Sequence, residues 1–187
     1  MKLINIRFNK KNLSSKINKE SLSWAINYLK KKIYKSNYIN HTQTTLNIVE
    51  CIIIDKSSPI IDKYKKLVKY NNKNESFLIS PLSIKYNKII IYGSDLRGLI
   101  YAITEIADRV ENLITSKNIL QEIFFKTIES PKTKIRSISK CFESDIEDLP
   151  WYRNKIMWKE YLDMLVTNRF NRFTFTLGMQ YNYPYGN

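Results

Sequence analysis

In KIIIYGSDLRGLIYAITEIADRV, residues 88–110, an apolar run ends at Gly93, four residues intervene before Gly98, and an amphipathic pattern follows at once. Glycines at a strand-to-helix turn suit a phosphate site, because backbone N–H groups at a helix start point towards an anion. The dinucleotide fingerprint needs three glycines, however, and GSDLRG has two. The P-loop needs Lys and a hydroxyl after its last glycine, where this chain has Leu99 and Ile100. Neither phosphate chemistry is supported. The turn reads instead as a tight junction: Gly93 permits a sharp exit from the strand, Ser94 or Asp95 caps the helix, and Gly98 lets the first turn lie close to the sheet.

A second candidate is the acidic stretch ESDIEDLPW, where Glu143, Asp145, Glu147 and Asp148 fall within six residues and Trp151 closes the run. Carboxylates at this density form either a site or a solvated loop paired with the surrounding Lys and Arg. Arg136 lies shortly upstream in the strand-like KIRSISKCF; its guanidinium forks onto carboxylate oxygens, so an ion pair with one of these acids is one reading. His41 is the only histidine and sits in the polar NHTQT, which reads as an exposed turn, so a histidine-based triad or multi-histidine metal site is not expected. Cys51 and Cys141 are far apart and lack a CxxC partner, which argues against a zinc site or a disulfide framework. No cofactor is expected.

The elements that would position these residues are legible. The 187 residues are 43% apolar and include 24 aromatics, which is a globular composition. KLINIRFN (2–9) reads as a strand, SLSWAINYLKKKIY as a helix with Leu22, Ala25, Leu29 and Ile33 on one stripe and Ser21 or Ser23 as cap, and TLNIVECIII (45–54) as a strand ended by the SSP at 57–59. A short helix near 60–70 precedes SFLIS and KIIIYG, expected as an antiparallel pair. The helix after Gly98 places Leu99, Ile103, Ile106 and Val110 on one face, and ILQEIFFKTI (119–128) reads as a further strand. Helices on one face of a mixed sheet would bury both stripes, giving an α+β two-layer sandwich over residues 1–130.

The texture changes at Pro131. KIRSISKCF is strand-like, ESDIEDLPW reads as an acidic loop, RNKIMWKEYLDMLVTN is a helix with Met157, Tyr161, Leu162 and Leu165 on its apolar side, and RFNRFTFTLG is a strand in which Phe173, Phe175 and Leu177 alternate with Arg172, Thr174 and Thr176. Trp158, Tyr161 and Leu162 read as core rather than as a binding platform. Strand, helix and strand with short joints make a βαβ unit with parallel strands. A lone unit of this kind cannot bury both faces, so residues 131–187 read as the start of a larger α/β domain.

Two blocks resemble a known family. FLIS followed by KIIIYGSDLRGLIYAITEIADRV, with Gly93, Asp95, Arg97, Gly98 and Tyr101, is similar to the end of the small non-catalytic N-terminal domain that precedes the barrel in glycoside hydrolases of the β-hexosaminidase and α-glucuronidase type. PKTKIRSISKCF through RFNRFTFTLG is similar to the opening of their TIM barrel, on Pro131, Arg136, Trp158, Leu162 and the run Asn168, Arg169, Phe170, Asn171. The resemblance implies an accessory domain followed by an incomplete barrel start, since a whole barrel needs about 250 residues. It implies an oligo- or polysaccharide partner and no catalytic residue here, because such families carry their two carboxylates on later strands. It also places the acidic stretch after the first barrel strand, on the active-site face, where Glu143, Asp145, Glu147 and Asp148 would meet sugar hydroxyls, Trp151 would stack on a ring, and Arg136 would contact a hydroxyl or carboxylate.

The charge of +14 raises a rival reading, a nucleic-acid-binding module. Against it, 24 of the 31 basic residues are Lys spread along the chain, the clusters at Lys30 to Lys32 and Lys63 to Lys66 suit solvated helix faces, and no strand carries the glycine-interleaved aromatic run of an RNA-recognition domain. A stand-alone carbohydrate-binding remnant is the other alternative. No run approaches the roughly 18 apolar residues of a membrane span. The start is too polar after Phe8 for a secretory core of about 7 to 15 apolar residues, so a cytoplasmic location is expected.

Overall fold

The computed structural model describes residues 3–39, 46–68, 73–83, 87–112 and 122–177. His41 and residues 119–121 of the expected ILQEIFFKTI strand lie outside them. The chain divides into two compact units, Met1–Pro131 and Lys132–Asn187.

The first unit is built on a five-stranded mixed sheet. Its strands are β1 (Leu3–Asn9), β2 (Leu46–Asp55), β3 (Phe77–Ser83), β4 (Lys88–Gly93) and β5 (Thr127–Glu129), in the spatial order β1-β2-β4-β3-β5. β1, β2 and β4 run parallel, while β3 is antiparallel to β4 and to β5. The helices are α1 (Lys19–Ile39), the one-turn α2 (Lys65–Val68), which follows a 3-10 turn at Ile61–Tyr64, and α3 (Leu96–Asn112).

β2 and β4 read as nearly unbroken apolar runs because both their faces are covered. Val49, Cys51, Ile53, Ile89 and Ile91 join Leu22, Ala25, Leu29, Leu99, Ile103 and Ile106 of α1 and α3 in the main core. Ile54, Ile90 and Tyr92 point the other way, onto Tyr64 and Val68. The two long helices therefore share one face, as their stripes require, but the short segment 61–68 covers the opposite face, where a one-sided arrangement was expected. Each fully buried Leu or Ile contributes roughly 1.5–3 kcal/mol of transfer free energy.

Three local expectations need correction. The cap of α1 is neither Ser21 nor Ser23: the Asn18 side chain accepts from the Ser21 N–H at 2.9 Å, so the helix begins earlier. The strand expected over 119–128 shrinks to Thr127–Glu129, because Ile123 and Phe124 enter the core. Arg109 holds that approach, donating to the Ile123 carbonyl at 3.0 Å and to Thr127 Oγ1 at 2.6 Å, with its guanidinium 3.8 Å from the centre of the Phe125 ring. The acidic stretch is a helix rather than a loop, as described below.

The junction that opened the sequence reading is tighter than its glycines alone suggest. Asp95 caps α3 through Oδ1, which accepts from the Gly98 N–H at 2.9 Å, while Oδ2 accepts from the Glu75 N–H at 2.8 Å. One carboxylate thus fixes both the helix start and the chain entering β3. Glu75 has a left-handed φ of 62°, a costly conformation for a residue with a side chain, and Arg97 reaches back to its carboxylate at 2.8 Å. A Cβ on Gly98 would overlap the Ser76 carbonyl oxygen, and one on Gly93 would collide with the Leu99 amide and side chain. Neither Gly93 nor Gly98 has positive φ, so both are required by close approach rather than by backbone freedom.

Gly98→Ala should therefore destabilise the first unit by about 1–3 kcal/mol, the usual cost of overpacking. Urea unfolding followed by circular dichroism reads this directly; an unchanged midpoint would mean that the Ser76 backbone can withdraw freely.

Candidate functional site

The second unit contains β6 (Ser137–Phe142), α4 (Asp145–Tyr152), α5 (Lys155–Thr167) and β7 (Arg172–Leu177). β6 and β7 are parallel and in register from Ser137 beside Arg172 to Phe142 beside Leu177, as the strand–helix–strand pattern demands. Alternation divides the side chains cleanly. Ile138, Lys140 and Phe142 share a face with Phe173 and Phe175, while Ser137, Ser139 and Cys141 line up with Arg172, Thr174 and Thr176 on the other.

The first face is aromatic. Trp151 packs edge-on against Phe142, Trp158 and Phe175, with centroids 6.2, 5.6 and 6.3 Å away. Tyr152 stacks on Phe175 at 5.8 Å, and Trp158 and Tyr161 close on Phe173 at 6.0 and 5.8 Å. Trp158 and Tyr161 accordingly belong to the packing. Leu162 does not: it is 45% exposed, on the outer side of α5, contrary to its expected place in the core.

The stretch read as an acidic loop is α4 preceded by a short turn. Ser144 is its N-cap, accepting from the Glu147 N–H, and Ser-x-x-Glu is the sequence signature of such a start. Acid density and Pro150 obscured this, yet Pro150 lies within the helix. Asp148 is the anchor of the turn. Its Oδ2 accepts from the Glu143 and Ser144 N–H groups at 2.7 and 2.9 Å, and its Oδ1 accepts from the Trp151 indole N–H at 2.8 Å. These donors, led by the two backbone amides and assisted by Lys140, hold its carboxyl below the usual aspartate range.

The expected site residues separate accordingly. Glu143 is exposed at the carboxyl end of β6, where it accepts from the Cys141 thiol, and Glu147 is exposed on α4. Asp145 opens α4, and its side chain lies outside the description. Asp148 is engaged on both oxygens. Trp151 is built into the ring cluster, and the Lys140 ammonium sits 3.9 Å from its ring centre. Lys140 was not singled out from sequence, although a lysine alternating with Ile138 and Phe142 on the inward positions was the available signal. Cys141 is exposed; partial loss of hydration, then a hydrogen bond to Glu143 and the charges of Glu143 and Asp148, hold its thiol above the usual range and in the neutral form.

Arg136 lies at the other end. It precedes β6, so the six-residue strand, about 20 Å at 3.3 Å per residue, separates it from Glu143. Its Nε donates to the Arg169 carbonyl at 2.6 Å and an Nη to the Thr133 carbonyl at 2.9 Å, while its own N–H donates to Asn171 Oδ1. Arg169 has a φ of 65° at the end of α5, where the Phe170 and Arg169 amides return to the Leu165 and Val166 carbonyls in a Schellman closure. Arg136 thus ties β6 to the turn that launches β7. Among the described residues no cluster of three or more His, Cys, Asp or Glu has metal-binding proximity.

Comparison with known proteins adds fold information. Neither a protein-family model nor a curated protein matches the chain. Among solved structures it is similar to a GH138 enzyme targeting pectin rhamnogalacturonan II, with a TM-score of 0.59 and 18% identity over 92% of this chain and 18% of that one. It is also similar to a GH115 4-O-methyl-alpha-glucuronidase with specificity for decorated arabinogalactans, with a TM-score of 0.61 and 17% identity over 87% of this chain and 24% of that one. At these identities the likeness shows a shared fold. The chain spans less than a quarter of either enzyme's length.

Because the Asp148 carboxyl is held low, its contribution to stability is complete above the ordinary aspartate pKa, about 4, and is lost as pH falls through the lower folded value. In Asp148→Asn the acid limb of unfolding, followed by tryptophan fluorescence below about pH 4, should be shallower than in the native chain. Identical acid limbs would show that the charge is not what the amides hold.

Proposed function

We propose that this chain is the amino-terminal portion of a carbohydrate-degrading glycoside hydrolase, its first unit an accessory domain and its second the opening strand–helix–strand of a (β/α)8 barrel, and that it is not catalytic alone. The observation carrying this reading is the unfinished burial of the second unit. Among the described residues only Phe142 and Leu165 of its apolar side chains are buried, whereas Ile135, Ile146, Ile156, Leu162, Met164 and Leu177 are 41–90% exposed. A parallel pair with one bare face fits a structure completed by further strands, since parallel sheets are covered on both sides. The fold shared with two carbohydrate-active enzymes supports the same assignment.

In this reading Glu143 and Asp145, at the carboxyl end of the first barrel strand, accept hydrogen bonds from saccharide hydroxyls on the active-site face. Trp151 borders that subsite, and Lys140 and Asp148 fix its indole. Arg136, at the amino end, positions the strands rather than the sugar. The carboxylates for proton transfer belong to later strands.

The test is hydrolysis of a panel of aryl glycosides and aryl uronides by the 187-residue chain and by a version extended through any reading frame that follows Asn187. Activity confined to the extended version is expected, and there Glu143→Gln should raise KM about three- to ten-fold with kcat little changed, as loss of uniform binding does. Hydrolysis by the short chain, or none by either, would remove the proposal.

A further inference from the structure

The five-stranded sheet leaves one corner of its second face open, at the carboxyl end of edge strand β1. A cleft of about 560 Å³ lies there, lined among others by Arg7, Asn9, Lys10, Lys11, Ile48 and Glu50. Arg7 stands beside Glu50 in the parallel register, and Ile6 on the same strand turns the other way into the core, so the cleft opens on the face away from α1 and α3.

Its charge is unbalanced. Glu50 is paired with Lys88 at 3.3 Å, whereas the side chains of Arg7, Lys10 and Lys11 are exposed and have no acidic partner among the described residues. Three cations therefore face the opening around one acid that is already neutralised. Ile48, 40% exposed, gives the floor an apolar patch, and Asn9 adds an amide whose Oδ1 already accepts the Lys11 N–H.

We propose that this cleft binds an acidic saccharide, with Arg7 forking onto one carboxylate, Lys10 and Lys11 meeting its neighbours as point charges, and Ile48 under the C–H face of a ring. Choosing a saccharide among polyanions rests on the function proposed above; the charge argument does not. A single-stranded nucleic acid suits the cleft less well, because base binding needs an open aromatic platform. Phe8, the one aromatic of the lining, packs against the main core.

The experiment is calorimetric titration of the full chain with polygalacturonate at about 150 mM salt, where long-range attraction between exposed charges is screened. Three probes compete: the fully methyl-esterified polymer, a neutral galactan and a single-stranded oligonucleotide. Two triple variants remove the same charge, Arg7→Gln/Lys10→Gln/Lys11→Gln in the cleft and Lys30→Gln/Lys31→Gln/Lys66→Gln on exposed helix positions. The cleft triple should weaken polygalacturonate binding about ten-fold and the helix triple less than about two-fold, in proportion to the phosphate-like contacts each removes. Should the cleft triple fail to fold, Lys10→Glu, on an exposed position after the strand, carries the same expectation.

Equal losses in both triples, equal binding of the esterified or neutral polymer, no binding, or preferential capture of the oligonucleotide would each overturn the proposal. Failure here is separable from failure of the glycosidase reading. An extended chain that hydrolyses glycosides while its cleft triple binds like the native protein removes only the cleft. A chain inactive in every form whose cleft triple still loses polygalacturonate removes only the enzymatic assignment.

Discussion

The first unit depends on the contact between the opening turn of α3 and the backbone of Ser76. Because Gly98 carries no side chain, the helix start lies directly on the segment entering β3, and Asp95 holds both with one carboxylate. That placement brings Leu99, Ile103 and Ile106 over Phe77, Ile79 and Ile91. It also lets Arg97 reach Glu75 and offset a left-handed backbone at the edge of the core. A glycine, an acid and an arginine within four residues thus serve one geometric purpose, closing a junction between two antiparallel strands and the helix after them. Anion binding plays no part in it.

The second unit is organised by parity. Two strands in parallel register give each face every other residue, so the aromatic side chains gather on one face, with Lys140 as its single charged member, and the other face is polar. The aromatic face is closed by α4 and α5, and Asp148 fixes where α4 begins by collecting two backbone amides and an indole N–H. At the opposite end Arg136 holds the Arg169 turn, so the pair is secured at both ends by polar contacts while its hydrophobic burial remains slight.

Much of this was legible because period and length agree in the long elements. The α1 and α3 stripes, the unbroken runs of β2 and β4 and the alternation in β7 each admit one interpretation. Where local and tertiary signals conflict, the sequence misleads. ILQEIFFKTI has strand propensity, but Arg109 pulls the Ile123 carbonyl to α3 and leaves only three residues to pair. ESDIEDLPW has the composition of a loop, yet Ser144 and Asp148 supply the donors' partners that a helix start requires. Of the candidate residues, the strand-like KIRSISKCF set Glu143 just past a strand end, but nothing in the sequence shows that Asp148 is already spent on amides, or that Arg136, about 20 Å from Glu143 at about 3.3 Å per strand residue, points at the Arg169 and Thr133 carbonyls.

The spatial order of the sheet has a consequence for solubility. β1 and β5 are its borders, and a border strand offers unpaired N–H and C=O groups to any other chain that can align with them. β5 is only three residues long and offers little. β1 is seven residues of high strand propensity, LINIRFN, and would be a template for intermolecular pairing were it uniformly apolar. Arg7 within it and Lys10 and Lys11 just past its end put like charges on any two copies approaching edge to edge. Those cations act as gatekeepers, and their removal would expose the longest border strand among the described residues to self-association.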